Sequence, residues 1–222
     1  MVSCNVLFDE RNNAISPIEI KREIRTFGES YKNTIRDIIR YSVVLDNNGR
    51  VFVKCASHLL KNFKMTRRGV FHEDLTGTLI KCWRIIGGTL IEINRAILES
   101  DIPRDRYLLE VNDLKREVLI AKIWGMTKLL LPYTMSDYSY GLVGASKILF
   151  SVLPEIVLPT DNTQWKQLFK TVDLGDVIRF MTDDIRRWES ITGEKLNTLD
   201  LSRRLTTLPS VYNVVAMAAR KN

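Results

Sequence analysis

Apolar residues spaced three and four apart constrain this chain more than any other feature. Behind Ser16-Pro17, the residues Ile20, Ile24, Phe27, Tyr31, Ile35, Ile38 and Ile39 recur with helical period. Lys21, Arg22, Arg25, Lys32 and Arg36 take the remaining faces, so the spacing predicts one long amphipathic helix. Its start is well marked. Ser16 accepts from an amide three residues on, Glu19 completes a capping box, and Pro17 suits the first helical position. A second apolar-periodic segment runs from about His72 to Ser100, and Pro103 closes it. Residues 104–131 read as a helical pair or one bent helix, and further helices are expected near 142–153, 162–169, 174–192 and 210–220. Thr160 or Asp161, Asp173 and Ser210 are the N-cap candidates. No βαβ alternation and no repeat interrupts this pattern. The fold class is mostly α, a multi-helix globular bundle.

Two passages qualify that reading. Asp46-Asn47-Asn48-Gly49 is a turn signal between Ser42–Leu45 and Val51–Val53, which suits one small β-hairpin with a helix from about Cys55. The competing reading is helix throughout. Gly87-Gly88 predicts a kink, break or close helix crossing, since each glycine weakens a helix interior by about 1 kcal/mol. Pro132 to Ser139 reads as a linker. It divides a helical part at 1–132 from a second at 133–222 packed against it, with a single domain as the alternative.

Composition narrows the function classes. A net charge of +7 and a pI near 9.4 favour polyanionic partners, nucleic acid first and an acidic membrane surface second. The longest apolar run, LIAKIWGMTKLLLPY, is broken by Lys122 and Lys128 and falls short of the roughly 20 residues a bilayer-spanning helix needs, so no membrane partner is expected. Cys4, Cys55 and Cys82 are scattered, and neither His58 nor His72 stands at metal-ligand spacing from them. Reduced thiols, a cytoplasmic location, no metal and no cofactor are the corresponding expectations.

Candidate chemistry concentrates between Tyr138 and Phe169. Gly141 and Gly144 bracket a turn ahead of a helix that carries Lys147, and free amides at such a start attract phosphate. Packing of small residues at a helix start is the plainer role for the glycines. Asp161, followed by Trp165 and Lys166, sits at the next helix start. Capping is the default for such a carboxylate, and the same geometry suits one aimed at a developing cation. Taken together these residues resemble the helix-hairpin-helix DNA glycosylase superfamily. The resemblance covers Tyr138 to Phe169 and implies a phosphate-binding hairpin at Gly141–Gly144, a Schiff-base lysine at Lys147 and a catalytic carboxylate at Asp161. The sequence departs from the family pattern in several respects. The hairpin lacks its proline, the lysine is one place out of register, the interval from lysine to aspartate is short, and the iron–sulfur cysteines of many members are missing. The same stretch is also similar to helical bacterial and archaeal proteins that carry no assigned activity.

Two further constellations stand beside it. Arg67 and His72 have a spacing similar to the arginine–histidine motif of the HEPN ribonucleases, which implies a phosphoryl-stabilising arginine and a general acid or base. Basic clusters lie at Lys61–Arg68, Arg179–Arg187, Arg203-Arg204 and Arg220-Lys221, and Arg186 and Arg187 precede Trp188 in a charge–aromatic combination suited to a nucleic-acid backbone. A solvated helix face is the plainer account of them. The expected function is that of a nucleic-acid-binding helical protein, contacting DNA in preference to RNA through Gly141, Gly144, Lys166, Arg186 and Arg187. Lys147 and Asp161 would carry any glycosylase-like step. A non-catalytic helical interaction or scaffold protein, self-associating as a homo-oligomer, is the rival from another class, and a HEPN-like ribonuclease is the third reading.

Overall fold

The computed structural model describes residues 5–41, 45–135, 141–162, 164–205 and 207–218. Among them the chain is an all-helical bundle with no strand, and one isolated antiparallel bridge joins Phe8 to Ala14. Ser16 opens α1 (Pro17–Thr26) as expected, its hydroxyl accepting from the Glu19 amide at 3.2 Å. The predicted long helix is in fact two. Phe27 is extended at φ −71° and ψ 144°, and α2 (Glu29–Tyr41) starts afresh two residues later. The Phe27 and Tyr31 rings meet edge to face with centroids 5.0 Å apart, so the apolar period survives the break that separates the helices.

The hairpin does not form. Val51–Val53, its second arm, belongs to the first turn of α3 (Arg50–Asn62), while the first arm, Ser42–Val44, lies outside the described residues. Asp46 explains the difference: its carboxylate accepts from the amides of Arg50 and Val51 at 3.2 and 3.0 Å, making the turn a helix start. A short α4 (Val70–Glu73) precedes α5 (Leu75–Leu98), which Asp74 caps through the Gly77 amide. No break occurs at Gly87-Gly88. A Cβ on Gly87 would sit 2.8 Å from the Trp83 indole, so the glycine makes room for a side chain of the same helix.

After α6 (Tyr107–Glu110), α7 (Asp113–Thr134) runs through Pro132, so the start of the expected linker is helix, and residues 136–140 lie outside the described set. Then follow α8 (Leu142–Phe150), a buried connector at 151–160 and a π-helical turn (Gln164–Phe169) where an α-helix was expected. Finally come α9 (Leu174–Thr192), capped by Asp173 as predicted, and α10 (Leu208–Ala218). Ser210 is not its cap but an internal residue bonded to Thr207.

One apolar cluster runs from Val6 to Ala216 and draws on both sides of Pro132. Within it α7 packs on α5, α8 and α9, α3 packs on α5 and α8, and α1 packs against α10. The connector at 151–160 threads this core, which holds α8 and the π-turn in place for the site.

Candidate functional site

The two glycines set where α8 begins. Gly141 has φ +83°, and its carbonyl accepts from the Thr134 hydroxyl at 2.9 Å. A Cβ there would stand 2.7 Å from Thr134 Oγ1 and 2.9 Å from the Met135 amide. A Cβ on Gly144 would stand 3.1 Å from both the Phe71 ring and Thr134. Both glycines therefore let α8 press against the last turn of α7, the packing role expected of them. From Val143 to Phe150 every residue of α8 is buried. Tyr140, the first residue of the hairpin-like stretch, lies outside the described residues.

Lys147 is buried with the rest of its helix. Its Nζ lies 4.5 Å from the centroid of the Phe63 ring, a cation–π contact, and 3.8 Å from Met65 Sδ, but these two neighbours do not replace the water that a full charge loses on burial. Burial lowers its pKa to about 8, and the negative charge of Asp161 opposes that shift. The lysine and the aspartate that the sequence singled out are thus in electrostatic reach of each other. Ser146 and Thr160, hydrogen-bonded at 3.1 Å in the core, bind α8 to the residue before Asp161 and fix that proximity.

Asp161 also caps its own turn. Its carboxylate accepts from the Gln164 amide at 2.9 Å, and the Gln164 side chain returns an acceptor to the Asp161 amide at 2.8 Å. This is a reciprocal capping box, legible in the spacing Asp161 to Gln164 but not read from it. Gln164 continues inward, donating to Asn213 Oδ1 at 2.6 Å, and Asn213 donates to the Tyr31 hydroxyl at 2.7 Å. Burial pushes the Tyr31 phenol well above its ordinary range, with the bond from Asn213 opposing. Gln164, Asn213 and Tyr31 are polar residues from three distant segments, and no local signal announces their meeting.

Outside this buried network the π-turn faces a cleft of about 570 Å³ between the start of α8 and the approach to α9. Leu142 and Val172 give it apolar walls, and Lys166 and Lys170 give it charge. None of the residues that line it is acidic, and Lys147 and Asp161 are not among them. Trp165 also lines the cleft. It is a core residue, only 5% exposed, and its buried indole N–H has no acceptor among the described residues. Widened π-turns are rare and recur at functional sites.

The other cations are placed elsewhere. Arg186 donates to the Leu109 carbonyl from Nε at 3.2 Å and lies 3.6 Å from Asp113. Arg187 stacks its guanidinium 4.1 Å over Phe8. Neither lines the Lys166 cleft. Glu189 grips Arg106 with two hydrogen bonds of 2.7 Å. His72 and Arg67 are both exposed, and the histidine Nδ1 donates to the Thr66 carbonyl at 3.1 Å. Arg220-Lys221 lies outside the described residues. Among the described residues no group of histidine, cysteine and carboxylate side chains is arranged to hold a metal. No helix among them is long and apolar enough to cross a membrane. Set against models of protein families, curated proteins and solved structures, the chain matches none of them.

Proposed function

We propose that the protein binds nucleic acid, duplex DNA before RNA, in the cleft between the start of α8 and the π-turn. The observation that carries this reading is the pairing of exposed Lys166 and Lys170 in a cleft whose lining residues include no carboxylate. Leu142 on the same wall is the first residue of α8, where helix N-termini favour anions. Phosphate contacts of this kind are salt-dependent, because each one releases condensed counterions. The test is fluorescence anisotropy of a labelled duplex and of a labelled RNA strand at two salt concentrations. Two phosphate contacts should weaken duplex binding about tenfold for a fourfold rise in salt, and Lys166→Glu with Lys170→Glu should abolish it. A flat salt response, or full binding by the double variant, would remove the reading. Failure to bind either polymer at low salt would leave a helical interaction module in its place. A cytoplasmic home fits the buried, unbridged Cys55 and Cys82.

A second reading, glycosylase-like chemistry, draws on the amine of Lys147, which is buried and does not line the Lys166 cleft, so a nucleotide reaches it only once the packing around α8 opens. With its pKa lowered to about 8, a useful fraction is neutral near physiological pH and able to act as a nucleophile. The amine would attack C1′ of a nucleotide as the base departs with a proton, and sugar-ring opening would give an imine that Asp161 favours electrostatically in its protonated form. Borohydride in the presence of an abasic-site duplex should trap this adduct in the native chain and not in Lys147→Ala. Absence of a trapped species, or equal trapping by both proteins, would reject the step and leave the binding reading intact.

A further inference from the structure

The outward side of α1 has a composition that its fold does not require. Ile18, Lys21, Arg22 and Arg25 stand three and four residues apart and so share one side of the helix. Ile18 is 79% exposed. Beside it the loop after Leu199 presents Leu201, 81% exposed, followed by Arg203 and Arg204. The two segments face each other across a cleft of about 610 Å³ whose floor includes the buried Ile24 and Leu199.

Charge on this surface is one-sided. The cleft is lined by Lys21, Arg22, Arg25, Lys32 and Arg204 against Glu29 and Asp200, five cations to two acids. Both acids are engaged. Glu29 pairs with Arg204 and with the buried Lys32. Asp200 is buried, accepting from the Ser202 amide and hydroxyl and from the Leu205 amide, so its role is to build the loop that carries Leu201. Arg22 lies 3.6 Å from Glu19 and from Glu23. Among the described residues Lys21, Arg25 and Arg203 form no ion pair.

The degree of exposure decides what such a surface fits. A groove for a partner helix keeps its apolar residues as half-buried walls, whereas side chains some 80% exposed stand clear of their own protein. Phosphates of a nucleic acid call for the cations and leave the two aliphatic tips unexplained. Apolar tips set among cations match a layer with anionic headgroups above hydrocarbon. We propose that α1 and the 200–204 loop dock the protein on an anionic phospholipid surface. Ile18 and Leu201 enter between the headgroups while Lys21, Arg25 and Arg203 meet their phosphates. Docking of this kind needs no helix that crosses the bilayer. None of these residues lines the Lys166 cleft, so this proposal and the nucleic-acid reading stand or fall separately.

Vesicle flotation with the full chain tests it, using phosphatidylcholine with and without phosphatidylserine. The chain should float with the phosphatidylserine vesicles alone. Ile18→Ser with Leu201→Ser should lower the bound fraction on the order of tenfold per tip, with unchanged far-ultraviolet circular dichroism, because both residues are exposed. Lys21→Glu with Arg25→Glu should abolish flotation. The proposal is overturned if the native chain ignores acidic vesicles, or if the double serine variant floats as the native chain does. Loss of duplex DNA binding by that variant, with flotation retained, would reassign the surface to nucleic acid and likewise overturn it.

Discussion

Asp184 carries three donors on one oxygen. The amides of Val6 and Leu7 reach its Oδ2 at 2.8 and 3.0 Å, and the Tyr212 hydroxyl reaches the same atom at 3.0 Å. Burial still outweighs them and raises the carboxyl from 3.8 to about 6. The sign follows from linkage: between these values the folded chain binds a proton that the unfolded chain has released, so this group stabilises the fold more as pH falls. The native chain and Asp184→Asn, compared by urea denaturation, should therefore diverge as pH drops from 6 to 4. The native chain should gain about 2 kcal/mol relative to the variant over that window. A constant difference across that window would show that the carboxyl is not raised. Lys147 is the complementary case, a buried amine whose charge is disfavoured, with the aspartate that moderates it supplied by a different segment. Neither burial could be read from the residue alone, since the sequence marks Asp184 only as one of an adjacent acidic pair and Lys147 only as a cation behind two glycines.

Helices were legible where their ends carry chemistry. Ser16-Pro17 opens α1 and Asp173 opens α9 at the positions their residue types indicate. Legibility failed where one signal has two structural outcomes. Asp46–Gly49 is equally a hairpin turn and a helix start, and the carboxylate bonds to Arg50 and Val51 select the second. Gly87 is equally a breaker and a recess, and the Trp83 ring fills the recess. Pro132 ends many helices, yet α7 continues past it while packed on α5, α8 and α9. The contact between α7 and α8 is the tightest test at this scale. A side chain at Gly144 must displace the Phe71 ring or Thr134, 3.1 Å from its first carbon. Gly144→Val should cost about 1–3 kcal/mol in urea denaturation, whereas Gly88→Ala, where a Cβ meets nothing within 4 Å inside α5, should gain up to about 1 kcal/mol. Equal stability of the valine variant would mean that the helices do not meet as closely as described.

For the molecule as a whole, the excess of positive charge pointed to a polyanion, while the fold decides which cations are available to meet it. Arg186 and Arg106 look as free in the sequence as Lys166 does, yet Arg186 is bonded to the Leu109 carbonyl and Arg106 to Glu189. These pairings span 77 and 83 positions, beyond the reach of any local pattern. Longer still is the tether at Asp184, which joins Val6 and Leu7 to a residue 178 and 177 positions later. On a ribosome adding some 5–20 residues per second, the leading segment waits on the order of ten seconds or more for its anchor to be made. Through that interval Val6, Leu7 and Phe8 are without their docking site, an opening for a chaperone that closes only when α9 and α10 have emerged.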